Sequence, residues 1–200
     1  KITRKVNSIL IIIRVNTEIE VWDQNKRRLF EKPKIEYSIR SIKSLMNSIN
    51  FCQNKYSDLK IKTIIIDDSS KNENLDKIKE IIKNLNCEII TLDIKKFETK
   101  IKKQKTQETF SNLASLLQSF EIGKEIGEDL IFFIEDDYLH FDTMLEEMIA
   151  TYERISSQIG RDIFMCPTDY PYLYMNNEKT NILIGNKRHW RTINKTLCTF

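Results

Sequence analysis

The stretch Leu130-Ile131-Phe132-Phe133-Ile134-Glu135-Asp136-Asp137-Tyr138-Leu139-His140-Phe141 decides how this chain reads. Five large apolar residues run straight into three consecutive acids. Such a run predicts a strand inside a sheet that is covered on both faces. Three carboxylates at its carboxyl end repel one another unless a cation is near. Open α/β sheets bind ligands outside the carboxyl ends of their strands. The simplest cation that gathers carboxylates and a phosphate is a divalent metal, Mg²⁺ or Mn²⁺.

Outward from this stretch, the pattern alternates. Ser8–Val15 reads as a first buried strand, and Asn16–Lys34, polar and holding Pro33, as a long loop. Ile35, Ile39, Ile42, Leu45, Met46 and Ile49 recur at helical spacing within Ile35–Phe51. Ile61–Ile66 is a second strand, ended by Asp67-Asp68-Ser69-Ser70. A helix over Asn74–Leu85 and a strand over Cys87–Leu92 follow, then a charged connection, Phe97–Glu108, and a helix over Thr109–Ile126. After the strand Asp129–Ile134, Asp142 is placed to cap a helix over Asp142–Ile155. Ile163–Cys166 reads as a short strand stopped by Pro167. The runs Asn181–Ile184 and Thr192–Phe200 predict a hairpin turning near Gly185-Asn186. The order predicts an α/β fold: a mostly parallel, Rossmann-like sheet flanked by helices, with a C-terminal antiparallel β section. With no repeat and no low-complexity linker, residues 1–200 read as a single domain.

Composition narrows the function classes. The 200 residues carry 32 Lys and Arg against 29 Asp and Glu, a net charge of +3, which gives no argument for nucleic acid. The lysines between Lys95 and Lys105 read as a solvated loop. Cys52, Cys87, Cys166 and Cys198 form no CxxC pair and no Cys/His ligand cluster, which argues against zinc and for reduced core thiols in a cytosolic protein. No segment reaches the roughly 18 apolar residues of a membrane span. The expected location is cytoplasmic, with a membrane-peripheral placement left open. The start without Met and the stop at Cys198-Thr199-Phe200, within a strand-like run, are expected of a piece of a longer protein.

Four groups of residues carry candidate chemistry. Asp67 and Asp68, at the end of the second strand, can accept hydrogen bonds from a ribose or a base N–H, or can simply form a turn before the next helix. In Glu135-Asp136-Asp137, an extended backbone puts Glu135 and Asp137 on one side and Asp136 on the other. Two carboxylates on one side can hold a metal that binds a diphosphate and stabilises it as a leaving group. Cys166-Pro167-Thr168-Asp169-Tyr170-Pro171-Tyr172 sets rings and an acid where a sugar could pack, or where rings cover the core edge. Lys187-Arg188-His189-Trp190-Arg191 could neutralise a diphosphate, or guard a hairpin edge with charge. His140 reads as a turn residue near the site.

Together, Ser8–Ile13, Ser38–Ile49, Ile64–Ser70 and Leu130–Tyr138 resemble the nucleotide-sugar-dependent glycosyltransferases of the GT-A fold, most like the family 2 type. The resemblance implies that Asp67 and Asp68 contact the donor nucleoside, with backbone or side-chain help near Val15 and Thr17. It implies that Glu135-Asp136-Asp137 stands at the family's metal- and diphosphate-binding DxD position, with Glu in the first slot. It also implies a donor-binding part over residues 1–150 and an acceptor-side part over 151–200. Tyr170, Tyr172, Arg188, His189 and Trp190 are then candidate acceptor or diphosphate contacts, and Asp169 the candidate base for an inverting hexosyl transfer to an acceptor hydroxyl. The family's base lies well downstream of the DxD and can fall beyond Phe200. A degenerate GT-A-like domain that binds or scaffolds is the non-enzyme alternative. A phosphoacceptor receiver domain fits less well, because a strand and helix precede Asp67 and no partner lysine follows a later strand. A dinucleotide oxidoreductase would need a GxGxxG, which the chain lacks.

Overall fold

The computed structural model describes residues 1–18, 30–102, 106–168 and 179–193. Its centre is β1 (Ser8–Val15), buried along all eight residues. Strand β2 (Lys60–Asp67) pairs parallel to one side of β1, in the register Ile11↔Thr63 and Val15↔Asp67. Strand β4 (Leu130–Glu135) pairs parallel to its other side, with Ile11↔Phe132 and Arg14↔Glu135. Strand β3 (Cys87–Thr91) lies outside β2, so the order is β3-β2-β1-β4.

This order explains the placement of the helices. Parallel crossovers are right-handed, so a chain that steps one way along the sheet lays its helices on one face. Helices α1 (Lys34–Lys55) and α2 (Asn72–Ile82) follow β1 and β2 in that direction. They pack Ile42, Leu45, Ile49 and Ile78 onto Ile9, Ile11 and Ile13 of β1. The step from β3 back to β4 reverses direction, and α3 (Gln107–Ile126) lies on the opposite face. There Ala114, Leu113 and Leu117 meet Leu10, Ile12, Ile64 and Ile66, with Phe97 from a 3₁₀ turn at Ile94–Phe97 buried beside them. Helix α4 (Met144–Ile159) returns to the first face through Leu145 and Ile149. It ends at Gly160, whose φ of 72° is the left-handed cap conformation that glycine adopts without strain.

Helix α1 is more than an apolar support. Ser38, Ser41 and Ser48 are buried on it. Ser44 Oγ accepts from His140 N at 3.0 Å, and Ser48 Oγ accepts from Leu145 N at 3.0 Å. These hydroxyls hold the connection after β4 and satisfy an otherwise orphaned donor in the first turn of α4. The predicted cap at Asp142 is therefore corrected. Thr143 occupies the N-cap position, without a side-chain cap bond, and α1 supplies the partner.

Four further expectations change. Among the described residues β4 is a marginal strand rather than an interior one, and Ile131 on it is exposed. Ile163–Cys166 is irregular rather than a strand, with the Phe164 ring fully exposed. Among the described residues no strand pairs with its short apolar run to complete a ladder. The hairpin forms earlier than predicted, from β5 (Ile182–Ile184) and β6 (His189–Arg191), antiparallel and turning through residues 185–188. The expected strand over Thr192–Phe200 falls mostly outside the described residues. Cys52 is buried and Cys87 partly so, and burial pushes both thiols up to about 12. Cys166, expected in the core, is exposed. No helix among the described residues is long and apolar enough to cross a membrane.

Candidate functional site

The strand order creates one topological switch point of interest. The chain runs outward from β1 to β3 and then returns to the far side of β1, so the direction switches between β1 and β4. In open α/β sheets, this switch point at the carboxyl edge is where ligands enter. The two acid groups lie at this edge, one on each strand flanking β1.

Asp67 ends β2 opposite Val15 and is only 2% exposed. Its carboxylate accepts long bonds from Ser70 N, at 3.3 and 3.4 Å. Burial pushes its carboxyl above the ordinary value; the Ser70 bonds oppose this and the charges of Asp68 and Asp136 add to it. Asp68 is tied on the other side, accepting from Ser111 Oγ of α3 and from Asn16 Nδ2 at 3.1 Å. The turn passes through Ser69 at φ 62°, a left-handed conformation uncommon for a residue with a side chain. Thr17 closes over this turn. Its N–H donates to Ser70 Oγ at 3.1 Å, and its hydroxyl accepts from Asn74 Nδ2 at 3.1 Å. Val15 has a buried side chain, and its carbonyl accepts from Asp68 N at 2.9 Å. Val15 thus shapes the turn through its backbone, while the buried Thr17 side chain is occupied by protein partners.

The acids after β4 separate by face, as strand alternation requires for the first two. Glu135 turns to the α3 face and meets the Arg14 guanidinium in an ion pair. Arg14 also donates to Asn112 Oδ1 at 2.7 Å and Ser115 Oγ at 3.2 Å on α3. Asp136 turns to the α1 face, 6% exposed, pairs with Lys34 Nζ at 2.7 Å and accepts from Ser38 Oγ. Burial raises the carboxyls of both Glu135 and Asp136, against the opposing pull of Arg14 on the first and of Lys34 and Ser38 on the second. Asp137 lies beyond the strand in the turn, is exposed, and makes no ion pair among the described residues.

The sequence reading missed Arg14, Lys34 and Ser38. A lone arginine in the otherwise apolar Ser8–Val15 was the available signal, since a buried cation needs an anion beside it. No group of three His, Cys, Asp or Glu side chains placed to hold a metal occurs among the described residues. His140 is bound through its backbone to Ser44. Burial lowers its imidazole to about 4, and its Nε2 is buried without a partner.

The hairpin contributes in a different way. Glu147, buried on α4, accepts from Asn186 N at 3.0 Å, Arg188 N at 3.3 Å, Lys187 N and Trp190 Nε1 at 2.9 Å. Glu146 beside it pairs with Lys55 and with Lys187 Nζ, the latter at 2.8 Å, and these cations hold its carboxyl below the ordinary value despite the opposing push of burial. Trp190 is therefore a docking residue that anchors the turn to α4. The Arg188 guanidinium lies over the Phe141 ring, 4.3 Å from its centroid, which brings the turn to the connection after Asp137. His189 is exposed on the outer side of β6. Asp169, Tyr170 and Tyr172 lie outside the described residues.

Comparison with family models, with curated proteins and with solved structures finds no match to this chain.

Proposed function

We propose that the chain is a GT-A-like, family 2-like glycosyltransferase domain that transfers a hexosyl unit from a nucleotide-sugar donor to an acceptor hydroxyl, with inversion. The observation that carries the reading is the position of the acids. Asp67 and Glu135-Asp136-Asp137 end the two strands that flank β1, at the carboxyl edge beside the switch point. In this reading Asp67 and Asp68 take the nucleoside, residues 1–150 bind the donor and residues 151–200 serve the acceptor side. Asp169 is the candidate base.

A Mg²⁺ or Mn²⁺ ion fits the donor set in kind. Hard cations of this type are held by one or two carboxylates plus phosphate oxygens. Asp137 is the accessible carboxylate, and Glu135 would share its oxygens between the metal and Arg14. When bound, the ion would supply charge neutralisation for a departing nucleoside diphosphate.

The ion pairs favour a second reading, a domain that binds or scaffolds without transfer. Arg14 and Lys34 already neutralise Glu135 and Asp136 from within the protein. Calorimetric titration of UDP and GDP, with and without Mn²⁺, on the native chain and on Asp137→Ala separates the two. Metal-dependent binding lost in the variant supports the donor site. No binding of either nucleotide in the presence of metal removes the support for it.

A further inference from the structure

We propose that the outer face of the β5–β6 hairpin is a docking surface for an anionic lipid bilayer. The register sets the two faces of the hairpin. Leu183 pairs with Trp190 on the inner face, where the indole N–H binds Glu147 of α4. Ile182 pairs with Arg191 and Ile184 with His189 on the outer face. That face is open: Ile182 is 71% and Ile184 69% exposed. Two isoleucines in a short hairpin would ordinarily be placed against a core, because isoleucine is among the most often buried residues.

Charge selects the occupant. From Lys179 to Ile193 the chain carries Lys179, Lys187, Arg188 and Arg191 and not one Asp or Glu; Lys187 turns in to pair with Glu146, and Lys179 and Arg188 stand exposed at the surface. The two acids that hold the hairpin, Glu146 and Glu147, are buried beneath it. Arg188 joins this surface to Phe141, 66% exposed, and Leu139 nearby on the same connection is 74% exposed. On the hairpin, exposed aliphatic side chains beside cations match the boundary between acyl chains and anionic headgroups, whereas on the connection the exposed Asp137 and Asp142 flank Leu139 and Phe141, so the hairpin is the part that meets the headgroups. A protein partner with an acidic apolar face would use the same groups, so the lipid is separated from it by experiment. The inference stands apart from the donor-site reading, since lipid binding is measured without nucleotide.

The test is co-sedimentation of the 200-residue chain with vesicles of phosphatidylcholine alone, and with about one-third phosphatidylglycerol added. The expected result is binding to the anionic vesicles only, weakened by salt. The outward pair Ile182→Ser with Ile184→Ser is expected to lower the partition coefficient about tenfold or more. Lys179→Glu, an exposed change outside the paired strands, is expected to lower it about fivefold or more, and both variants should retain the native melting temperature. Absence of binding to anionic vesicles overturns the proposal, and so does binding that survives the isoleucine substitutions. Concentration-dependent self-association that the isoleucine substitutions abolish, without vesicle binding, also overturns it and makes the face an interface between copies of the chain.

Discussion

Arg14→Ala tests how the acidic end of the sheet is held together. The Arg14 side chain is 9% exposed and that of Glu135 is 25% exposed, so the pair lies between surface and interior. Removing one member of a buried pair costs about 3–5 kcal/mol, because the remaining charge stays desolvated. The partial exposure of Glu135 selects the lower end, about 3 kcal/mol. The acceptors on Asn112 and Ser115 that lose a charged donor add about 1 kcal/mol. For a domain of this size each kcal/mol moves the melting temperature by about 2–4 °C, so a fall of about 10 °C is expected. Glu135→Gln in the Arg14→Ala background removes the stranded charge and should recover about half the loss. Urea melts of the native chain, both single variants and the double variant yield the coupling energy, expected to be at least about 1.5 kcal/mol. Additive effects of the two substitutions would refute the reasoning, because Arg14 would then stabilise the fold without neutralising Glu135.

Gly185→Ala should undock the hairpin, since a Cβ there would stand 2.1 Å from Glu147 Oε1 and 2.3 Å from the Arg188 carbonyl oxygen. A loss of about 2 kcal/mol or more is expected, with a red shift of Trp190 emission as its readout; an unchanged spectrum and melt would contradict the docking. Ser48→Ala removes the acceptor for Leu145 N and should cost about 1 kcal/mol in a denaturant melt, whereas a neutral result would mean that water replaces the hydroxyl without loss. The carboxyl of Asp67 is raised by burial, so its folded form holds a proton more tightly than the unfolded chain. Its contribution to stability is complete below the ordinary carboxylate value of 3.8 and is lost as pH rises through the raised folded value. Asp67→Asn should therefore stabilise the chain at neutral pH and flatten its pH profile over that window, and a steeper profile would contradict the sign. Glu18 runs the other way: Lys71 foremost lowers it from 4.5 to about 2, so its contribution is present above 4.5 and is lost as pH falls toward 2, read as a shallow acid limb that Lys71→Ala removes.

Much of the fold is legible in the sequence. The apolar run Ser8–Val15 predicts β1 to the residue, and the 3.6-residue spacing from Ile35 to Ile49 places α1 within its bounds of Lys34 and Lys55. Period and composition are local properties, expressed within a few residues of each other. Ile163–Cys166 misled for the same reason: its apolar residues satisfy the local pattern, but a strand exists only when another strand pairs with it. Thr143 replaced Asp142 at the N-cap of α4 because Ser48, distant in sequence, supplies the partner for that turn.

By itself the sequence determined that strands alternate with helices and that acids stand at the ends of two strands. Both follow from local periodicity, and carboxylates after an apolar run must lie where the strand leaves the core. Only the tertiary structure decided which cation meets which acid. Arg14 and Glu135 are separated by 121 positions and become neighbours because β4 crosses back to pair with β1. Asp136 turns instead to Lys34 and Ser38 because strand pleating sends it to the other face, onto α1. At Asp67, Glu135 and Asp136 the desolvation that raises a carboxyl and the partners that lower it both depend on neighbours brought together by folding.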